Sequence, residues 1–292
     1  MILVTGGVGF IGSHIVDALL AAGKEPVVLD DFSTSDRANL PAGVEVVEAD
    51  VADPGVVATI SSLRPRAVVH AAAQVSVAAS MEDPAFDLAV NVGGTANVLA
   101  GARAAGAERF VFLSSGGGIY GEADGADEGT MPRPKSYYGA HKYLAERYVE
   151  MDGISYAIAR LANVYGPRQR TDLEGGVVAI FAERLREGLP VTINGTGEQS
   201  RDFVHVADVV DALLVMADSG LEGTWNVGTG RAVSILELLR VLEAEIRPAV
   251  EMRHGPARQG DVRSSRLSIE AIQRDLGCRP GYDIARGVAS MT

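Results

Sequence analysis

The chain opens with MILVTGGVGFIGSH (residues 1–14), and this stretch decides the fold of the first half. Ile2 to Thr5 form a short apolar run rich in β-branched residues, which predicts a buried strand. From Phe10 onward apolar residues recur at helical spacing, so a helix is expected to begin there. The turn between them follows the spacing G-x-x-G-x-x-G, with Gly6, Gly9 and Gly12. Because glycine lets a ligand approach the backbone and a helix start attracts anions, the stretch predicts a cradle for a dinucleotide diphosphate.

Length and composition set limits on the kind of protein. The 292 residues fit one large domain or two closely joined ones, and 47% hydrophobic residues allow a sizeable core. The formal charge of −12 argues against nucleic acid as a partner. The apolar runs are shorter than the roughly 18 residues of a membrane span, and the opening strand predicts no signal peptide. Cys278 is the only cysteine, which excludes an intrachain disulfide and a cysteine-based metal site. We expect a cytoplasmic protein without a bound metal.

Strand and helix patterns alternate through the first half of the chain. After the opening strand, further strands are predicted at Pro26–Leu29, Val44–Ala49, Ala67–His70, Arg109–Leu113 and Tyr156–Leu161. Helical patterns are predicted near Pro54–Leu63, Ala85–Ala105 and Tyr138–Met151. Repeated β-α-β units predict an α/β fold with a doubly wound parallel sheet of the Rossmann kind, which binds ligands at the carboxyl ends of its strands.

The second half is less regular and predicts a smaller lobe. We expect residues 1–165 to form the nucleotide-binding domain and residues 166–292 a substrate-binding lobe, with part of about 203–232 returning to the first domain. Helices are predicted at Ala179–Glu187 and Ala207–Met216, with a short strand at Trp225–Val227. Ser234 is expected to cap another helix, with Glu237 completing a capping box.

Asp30 is the candidate for cofactor selectivity, because it closes the second strand 18 residues after Gly12. A carboxylate there can accept hydrogen bonds from the two hydroxyls of an adenosine ribose and would repel a 2′-phosphate, which favours NAD. Arg37 lies close enough in sequence to keep NADP open. Asp50, which ends the third strand, is a weaker candidate for contact with the adenine edge.

Tyr138 and Lys142 are the candidates for proton transfer. Four residues apart on a predicted helix, they share one face, and a nearby ammonium is expected to lower the pKa of the phenol. Tyr137 and His141 have the same spacing and compete for this role. Ser114 and Ser115 end the fifth strand, where a hydroxyl can bind a substrate oxygen near the cofactor.

A set of motifs in a fixed order connects these features. They are TGGVGFIGSH, Asp30, HAAAQVSV, Asn91, LSSGGGIYG, Tyr138-x-x-x-Lys142, NVYGPRQ, RDFVHVAD and RQGD. Over nearly its whole length the chain resembles the extended short-chain dehydrogenase/reductase family, most closely the UDP-glucose 4-epimerase group of nucleotide-sugar epimerases. The resemblance implies that NAD stays bound while Tyr138, assisted by Lys142, takes a proton from the sugar C4 hydroxyl. The C4 hydride would move to the nicotinamide and return to the other face of a 4-keto intermediate.

The resemblance also assigns residues to the two ligands. For NAD it implies Gly6, Gly9, Phe10, Ile11, Gly12, Asp30, Asp31, Ser33, Ser35, Asp50, Val51, Ala71, Ala72, Ala73, Asn91, Tyr138 and Lys142. For the UDP-sugar it implies Ser115, Asn163, Arg201, Arg258, Asp261 and Ser265. Arg201 and Arg258 would clamp the diphosphate, which suits the forked guanidinium group.

The glycine turn after the fifth strand departs from the family pattern. Counting along the strand gives Ser115 as the catalytic hydroxyl, whereas counting four residues back from Tyr120 gives Gly116; Ser114 also stays open. The related 4,6-dehydratases carry an Asp-Glu pair at this turn and the decarboxylases a Glu, whereas this chain has Gly116 and Gly117 there. In the family that the chain resembles, a bulky residue four positions after the Asp of the R-x-G-D motif narrows the pocket beside the sugar C2 group. That position here is the small Ser265, which should leave room for an acetamido group. We therefore hypothesise that UDP-GlcNAc and UDP-GalNAc are accepted along with UDP-glucose and UDP-galactose.

Other functions remain open at this point. One is a dehydrogenase, reductase or epimerase of a GDP- or dTDP-linked sugar. Another is a non-catalytic NAD sensor, which has no need of Tyr138 and Lys142. The helices near Ala85–Ala105 and Tyr138–Met151 resemble those that pair across a homodimer in this family, and a monomer is the alternative.

Overall fold

The computed structural model describes residues 1–172, 176–256 and 262–291. In this part of the chain the strands are β1 (Ile2–Thr5), β2 (Pro26–Asp30), β3 (Glu45–Glu48), β4 (Ala67–His70), β5 (Arg109–Ser115), β6 (Ala123–Ala126), β7 (Tyr156–Leu161), β8 (Asn163–Tyr165), β9 (Val191–Asn194), β10 (Ser200–His205), β11 (Gly223–Val227), β12 (Ala232–Ser234), β13 (Met252–Gly255) and β14 (Ser264–Leu267).

The helices begin with the one predicted after the glycine turn. They are α1 (Phe10–Ala21), α2 (Val56–Leu63), α3 (Val77–Glu82), α4 (Pro84–Leu88), α5 (Thr95–Ala105), α6 (Gly116–Ile119), α7 (Tyr137–Asp152), α8 (Val177–Glu187), α9 (Val206–Asp218), α10 (Ile235–Glu245), α11 (Glu270–Leu276) and α12 (Ile284–Ala289). A 3₁₀ turn covers Arg37–Asn39, and a π-helix covers Ala89–Gly94. Ser234 and Glu237 form the predicted capping box at the start of α10.

Seven parallel strands form the large sheet in the order β11-β7-β5-β4-β1-β2-β3. Successive residues of a strand face opposite sides of the sheet, and both sides are buried here. Leu3 and Val68 pack into a core with α2, α5 and α7, whereas their neighbours Val4 and Val69 pack into a second core with α1 and α9. Helices cover both faces, as expected for the predicted doubly wound fold.

The later part of the chain extends the large sheet and also forms a second sheet and a third core. The strand β11 extends the large sheet by pairing with β7, and α9 packs on α1. The strands β12, β10, β14 and β6 form a second sheet, with β8 also pairing to β10. A third core lies between α8, α10 and the strand β9, which pairs with β13. The division of the chain near residue 165 into two lobes stays a prediction.

The helical segment predicted near Ala85–Ala105 is present, but it is not a single α-helix. The segment consists of α4, the π-helix Ala89–Gly94 and α5 in direct succession. Glycine is required within it, because a Cβ on Gly94 would lie 2.8 Å from Cγ2 of Val51. The apolar pattern continues through all three segments, so spacing alone could not distinguish them. Single-turn π segments often occur at functional sites, and Asn91 lies in this one.

Candidate active site

The glycine turn of residues 6–12 has no room for a side chain at two positions. Gly6 has a φ of +66°, and a Cβ there would lie 2.6 Å from the amide nitrogen of Ala72. A Cβ on Gly12 would lie 2.1 Å from the carbonyl oxygen of Gly6. Gly9, the N-cap residue of α1, supplies no side-chain oxygen to the first amide groups of that helix. The turn therefore presents bare main chain and a helix N-terminus, which suit a diphosphate.

The carboxylate of Asp30 links the end of β2 to the glycine turn. Its Oδ2 accepts a 2.9 Å hydrogen bond from the amide of Val8. Its Oδ1 accepts bonds from the amide of Phe32 at 3.0 Å and the hydroxyl of Ser35 at 2.7 Å. A carboxylate has about four acceptor sites, so Asp30 keeps capacity for a ribose hydroxyl. That role stays a prediction, and Arg37 is exposed on the neighbouring 3₁₀ turn.

The other predicted cofactor residues lie in α1 and at the carboxyl ends of β2, β3 and β4. They are Phe10, Ile11, Asp31, Ser33, Asp50, Val51, Ala71, Ala72 and Ala73. Asp31 accepts bonds from the amide and hydroxyl of the exposed Ser33. Asp50 is exposed and accepts a bond from the amide of Ala52, whereas Val51 is buried. Their contacts with a cofactor stay predictions.

Asn91 provides an independent sign of a ligand. Its Nδ2 donates to the carbonyl of Gln74 at 2.9 Å and to Asp87 Oδ1 at 3.1 Å. Its Oδ1 is buried and has no hydrogen-bond partner within the protein. An unsatisfied buried acceptor costs about 1–3 kcal/mol. This oxygen and the glycine turn both fit a bound dinucleotide, which Asn91 would contact near its nicotinamide end.

Tyr138 lies in the first turn of α7, beside the serine at the end of β5. Tyr138 and Ser115 both adjoin Gly118, because a Cβ on Gly118 would lie 3.1 Å from Ser115 Oγ and 3.3 Å from Cε1 of Tyr138. The Ser115 hydroxyl also accepts a 3.1 Å bond from the amide of Gly118 and caps α6. Lys142 follows one turn later on α7, with its Nζ 4.3 Å from the centroid of the Phe112 ring. The structure thus places the phenol, the Ser115 hydroxyl and the Lys142 ammonium around the carboxyl end of β5.

Burial is the strongest influence on both titrating groups. It raises the pKa of the Tyr138 phenol; the nearby Ser115 hydroxyl lowers this pKa, and the charge of Asp87 raises it further. Burial lowers the pKa of Lys142 to about 8, against the opposing effects of the Glu146 and Asp87 carboxylates. The phenol pKa is raised overall, because the desolvation cost of a phenolate is the largest influence on it. The expected lowering by Lys142 stays a prediction.

The competing pair Tyr137 and His141 has a different setting. Tyr137 is exposed, with its ring centroid 6.1 Å from that of His141. The Nδ1 atom of His141 lies 2.6 Å from Asp87 Oδ2. The structure therefore places Tyr138, and not Tyr137, beside the serine turn, which is formed by residues 115–118 at the end of β5.

Ser114 belongs to a buried polar network that the sequence did not reveal. Its hydroxyl donates to Glu146 Oε1 at 2.6 Å. Arg160 donates to the same carboxylate, with a closest distance of 2.6 Å, and to the Tyr120 hydroxyl at 2.8 Å. Tyr120 in turn donates to Asn226 Oδ1 at 2.9 Å. Because the Ser114 hydroxyl is bonded to Glu146 while Ser115 adjoins Gly118 together with Tyr138, the geometry favours Ser115 as the reactive hydroxyl.

Three of the predicted substrate residues lie together on adjoining strands. Arg201 of β10 is paired with Ser265 of β14, and Asn163 of β8 is paired with Phe203 of β10. A Cβ on Gly117 would lie 3.6 Å from Asn163 Oδ1 and 3.7 Å from Ser265 Oγ. Asn163 and Ser265 therefore adjoin the turn that follows Ser115. Their substrate contacts stay predictions.

The two remaining substrate predictions, Arg258 and Asp261, lie outside the described residues. Within the described ranges, no cluster of histidine, cysteine and carboxylate side chains could hold a metal ion. No helix among these residues is long and apolar enough to cross a membrane.

Comparison with known proteins decides the family. The model of the NAD dependent epimerase/dehydratase family matches residues 2–228, which is most of the chain. The chain belongs to this family. It is 40% identical to a UDP-glucose 4-epimerase of Mycolicibacterium smegmatis, across 98% of this chain and 96% of that protein. The resemblance inferred from the motifs is confirmed.

Two solved structures of this family are especially similar. The UDP-glucose 4-epimerase from Thermotoga maritima with UDP-glucose has a TM-score of 0.95 and 40% identity, covering 99% of this chain and 96% of that one. The UDP-glucose 4-epimerase complex with NAD from Thermus thermophilus has a TM-score of 0.95 and 43% identity, covering 99% and 97%. The predicted Rossmann fold is confirmed by these matches.

Proposed function

We propose that this chain is an NAD-dependent nucleotide-sugar 4-epimerase that interconverts UDP-glucose and UDP-galactose. The observation that carries the proposal is the juxtaposition of Tyr138 and Ser115 against Gly118, with the buried Lys142 one turn further along the same helix as Tyr138. Family membership and the two similar epimerase structures support the same function. A cytoplasmic location is part of the proposal and is consistent with a single cysteine.

The chain's own residues would move the proton of the sugar C4 hydroxyl. Bound NAD would supply the hydride acceptor and a positive charge near the phenol. Tyr138 would take the C4 hydroxyl proton and later return it, while the Ser115 hydroxyl holds the same oxygen. The ammonium of Lys142 favours the phenolate during this step. With a pKa of about 8, Lys142 is largely charged at neutral pH.

The residues of the serine turn favour epimerisation over the elimination of water that related dehydratases catalyse. A dehydratase needs an acid and a base beside the reacting hydroxyl, whereas Gly116 and Gly117 follow Ser115 here. Gly116 is packed so closely that a Cβ would lie 2.8 Å from Cδ1 of Leu267. The site therefore suits oxidation and reduction at one carbon without loss of water.

The proposal is tested by incubating the purified protein with UDP-galactose and separating the sugar nucleotides. We expect UDP-glucose to appear, with NAD added if the protein does not retain it through purification. No product from UDP-galactose or UDP-glucose, even with added NAD, would contradict the proposal. Conversion of a GDP- or dTDP-linked sugar alone would replace the UDP assignment.

Ser265 is proposed to leave room for an N-acetyl group on the sugar. It is 5% exposed and adjoins Gly117 and Asn163 beside the serine turn. We expect Ser265→Tyr to lower kcat/KM for UDP-GalNAc about 100-fold or more relative to UDP-galactose, because an excluded group loses its binding energy. Ser264→Tyr, on the preceding residue of the strand, is the matched control. An unchanged ratio of the two activities in Ser265→Tyr would refute the assignment.

We also propose that the protein is a homodimer paired through α7. Leu144, Tyr148 and Met151 form an exposed apolar stripe on this helix, and Phe86 and Leu88 are exposed on the adjoining α4. Exposed apolar patches of this kind mark interfaces. A second copy is the expected occupant, because the helices near Ala85–Ala105 and Tyr138–Met151 resemble those that pair across dimers of this family in a four-helix bundle.

Charges placed in this stripe should separate the dimer. We expect Leu144→Glu combined with Tyr148→Glu to give the mass of a monomer in light scattering, because burying two carboxylates in an apolar interface is costly. Leu189→Glu changes a similarly exposed leucine after α8 and should leave the mass unchanged. A native protein with the mass of a monomer would contradict the proposal.

A further inference from the structure

Asp87 is a fully buried carboxylate that receives hydrogen bonds from three separate segments. Its Oδ1 accepts from Gln74 Nε2 at 2.6 Å and from Asn91 Nδ2 at 3.1 Å. Its Oδ2 lies 2.6 Å from Nδ1 of His141. The sequence suggested no role for this aspartate. Because burying a carboxylate is costly unless it is paired, its position calls for an explanation.

The three partners connect Asp87 to both sides of the active site. Gln74 belongs to the loop after β4, close behind the Ala71–Ala73 segment that lines the glycine turn. Asn91 turns its amide nitrogen toward Asp87, which leaves its unpaired Oδ1 as the free end of the amide. His141 directly precedes Lys142 on α7. One carboxylate therefore fixes the catalytic helix and the cofactor-facing asparagine relative to each other.

We propose that Asp87 is a positioning residue for the reaction, holding α7 through His141 and orienting the amide of Asn91. The inference rests on the proposed function, which assigns α7 to proton transfer. Loss of the carboxylate would release both α7 and the Asn91 amide from their present positions. Small displacements of reacting groups are costly, since a shift of about 1 Å can reduce a rate about 100-fold.

The charge of Asp87 also affects the pKa values of the two proton-transfer residues. Its negative charge raises the pKa of Tyr138 and that of Lys142. Glu146 on the same helix also raises the pKa of Lys142, and the Ser115 hydroxyl lowers that of Tyr138. His70 on β4 is buried, and the charge of Lys142 lowers its pKa. Burial lowers the pKa of His70 to about 3, so His70 is neutral near pH 7. Removing the Asp87 charge should therefore lower both pKa values.

Two substitutions of Asp87 distinguish the effect of its hydrogen bonds from the effect of its charge. Asp87→Asn keeps the shape and can still hydrogen-bond to all three partners, since a neutral imidazole nitrogen can accept as well as donate. Asp87→Leu removes both the bonds and the charge. We expect Asp87→Leu to lower kcat for UDP-galactose about 100-fold with little change in KM. We expect Asp87→Asn to keep more activity and to shift both limbs of its kcat–pH profile toward lower pH.

Glu82→Gln is the matched control, because it removes one carboxylate charge from the exposed surface of the preceding helix. Its profile should superimpose on that of the native protein. His141→Gln, which can still donate to Asp87, should be more active than His141→Leu. Thermal unfolding identifies any variant that fails to fold.

A titration without substrate keeps this inference separate from the proposed function. Tyrosinate absorbance is measured against pH for the native protein and for Asp87→Asn. The same measurement on each protein with Tyr138→Phe added is subtracted, which leaves the ionisation of Tyr138. We expect Tyr138 to ionise at lower pH in Asp87→Asn. An unshifted ionisation together with native kcat in Asp87→Leu would overturn the inference. Absence of turnover in the native protein would refute only the proposed function.

Discussion

Replacing Tyr138 with phenylalanine is expected to lower the rate of epimerisation about a thousand-fold. General acid–base catalysis by a positioned side chain contributes factors of about 10²–10⁴, and phenylalanine keeps the ring while removing the hydroxyl. The structure places Tyr138 beside Ser115, with both side chains against Gly118. The measurement is kcat for UDP-galactose at saturating substrate and NAD. The KM should change little, because the lost interaction acts on the transferred proton.

The neighbouring tyrosine provides the control for this result. Tyr137 is exposed and contacts His141 at the surface of α7. Tyr137→Phe should therefore keep native kcat. If Tyr137→Phe lost the activity and Tyr138→Phe kept it, the assignment of the two tyrosines would be wrong.

Replacing Arg160 with methionine is expected to lower the free energy of unfolding by about 3–5 kcal/mol. Removal of one partner from a buried ion pair has this cost because the other charge is left uncompensated. Arg160 and Glu146 are 4% and 0% exposed, and their closest atoms are 2.6 Å apart. The loss should be visible as a lower urea midpoint in equilibrium unfolding.

The double variant Glu146→Leu with Arg160→Met distinguishes the pair from simple packing. It leaves neither charge unpaired, so it should be more stable than Arg160→Met alone. Arg66→Met, which breaks an exposed pair with Glu108, should leave the urea midpoint unchanged. A double variant less stable than the single one would show that the charges are not coupled.

The fold could be predicted because each strand or helix is marked by the spacing of apolar residues within its own short segment. The strands at Ile2–Thr5, Ala67–His70 and Tyr156–Leu161 have the predicted bounds, since each is a short apolar run between polar residues or turns. The π-helix over Ala89–Gly94 was not predicted, because no proline separates it from α4 and α5. The short helix α6 was expected as a glycine turn, and the Ser115 cap makes it helical.

The candidate site was partly visible in the sequence. Spacing identified Tyr138 and Lys142 and favoured Ser115 while leaving Ser114 open, because the choice depends on Glu146, which lies 32 residues after Ser114. Asp87 was missed for a similar reason, since its partners come from other segments. Arg160 carried a usable signal, as a charged residue inside the buried strand YAIARL implies a buried partner.

The measurement that tests the central claim most directly follows the hydrogen on C4. UDP-galactose labelled with deuterium at C4 is converted in ordinary water, and the UDP-glucose product is analysed by mass spectrometry. A hydride held within the site does not exchange with solvent, so we expect the product to keep the deuterium at C4. Loss of the label to water would show that a proton is removed from carbon, which would contradict epimerisation by hydride transfer beside Tyr138.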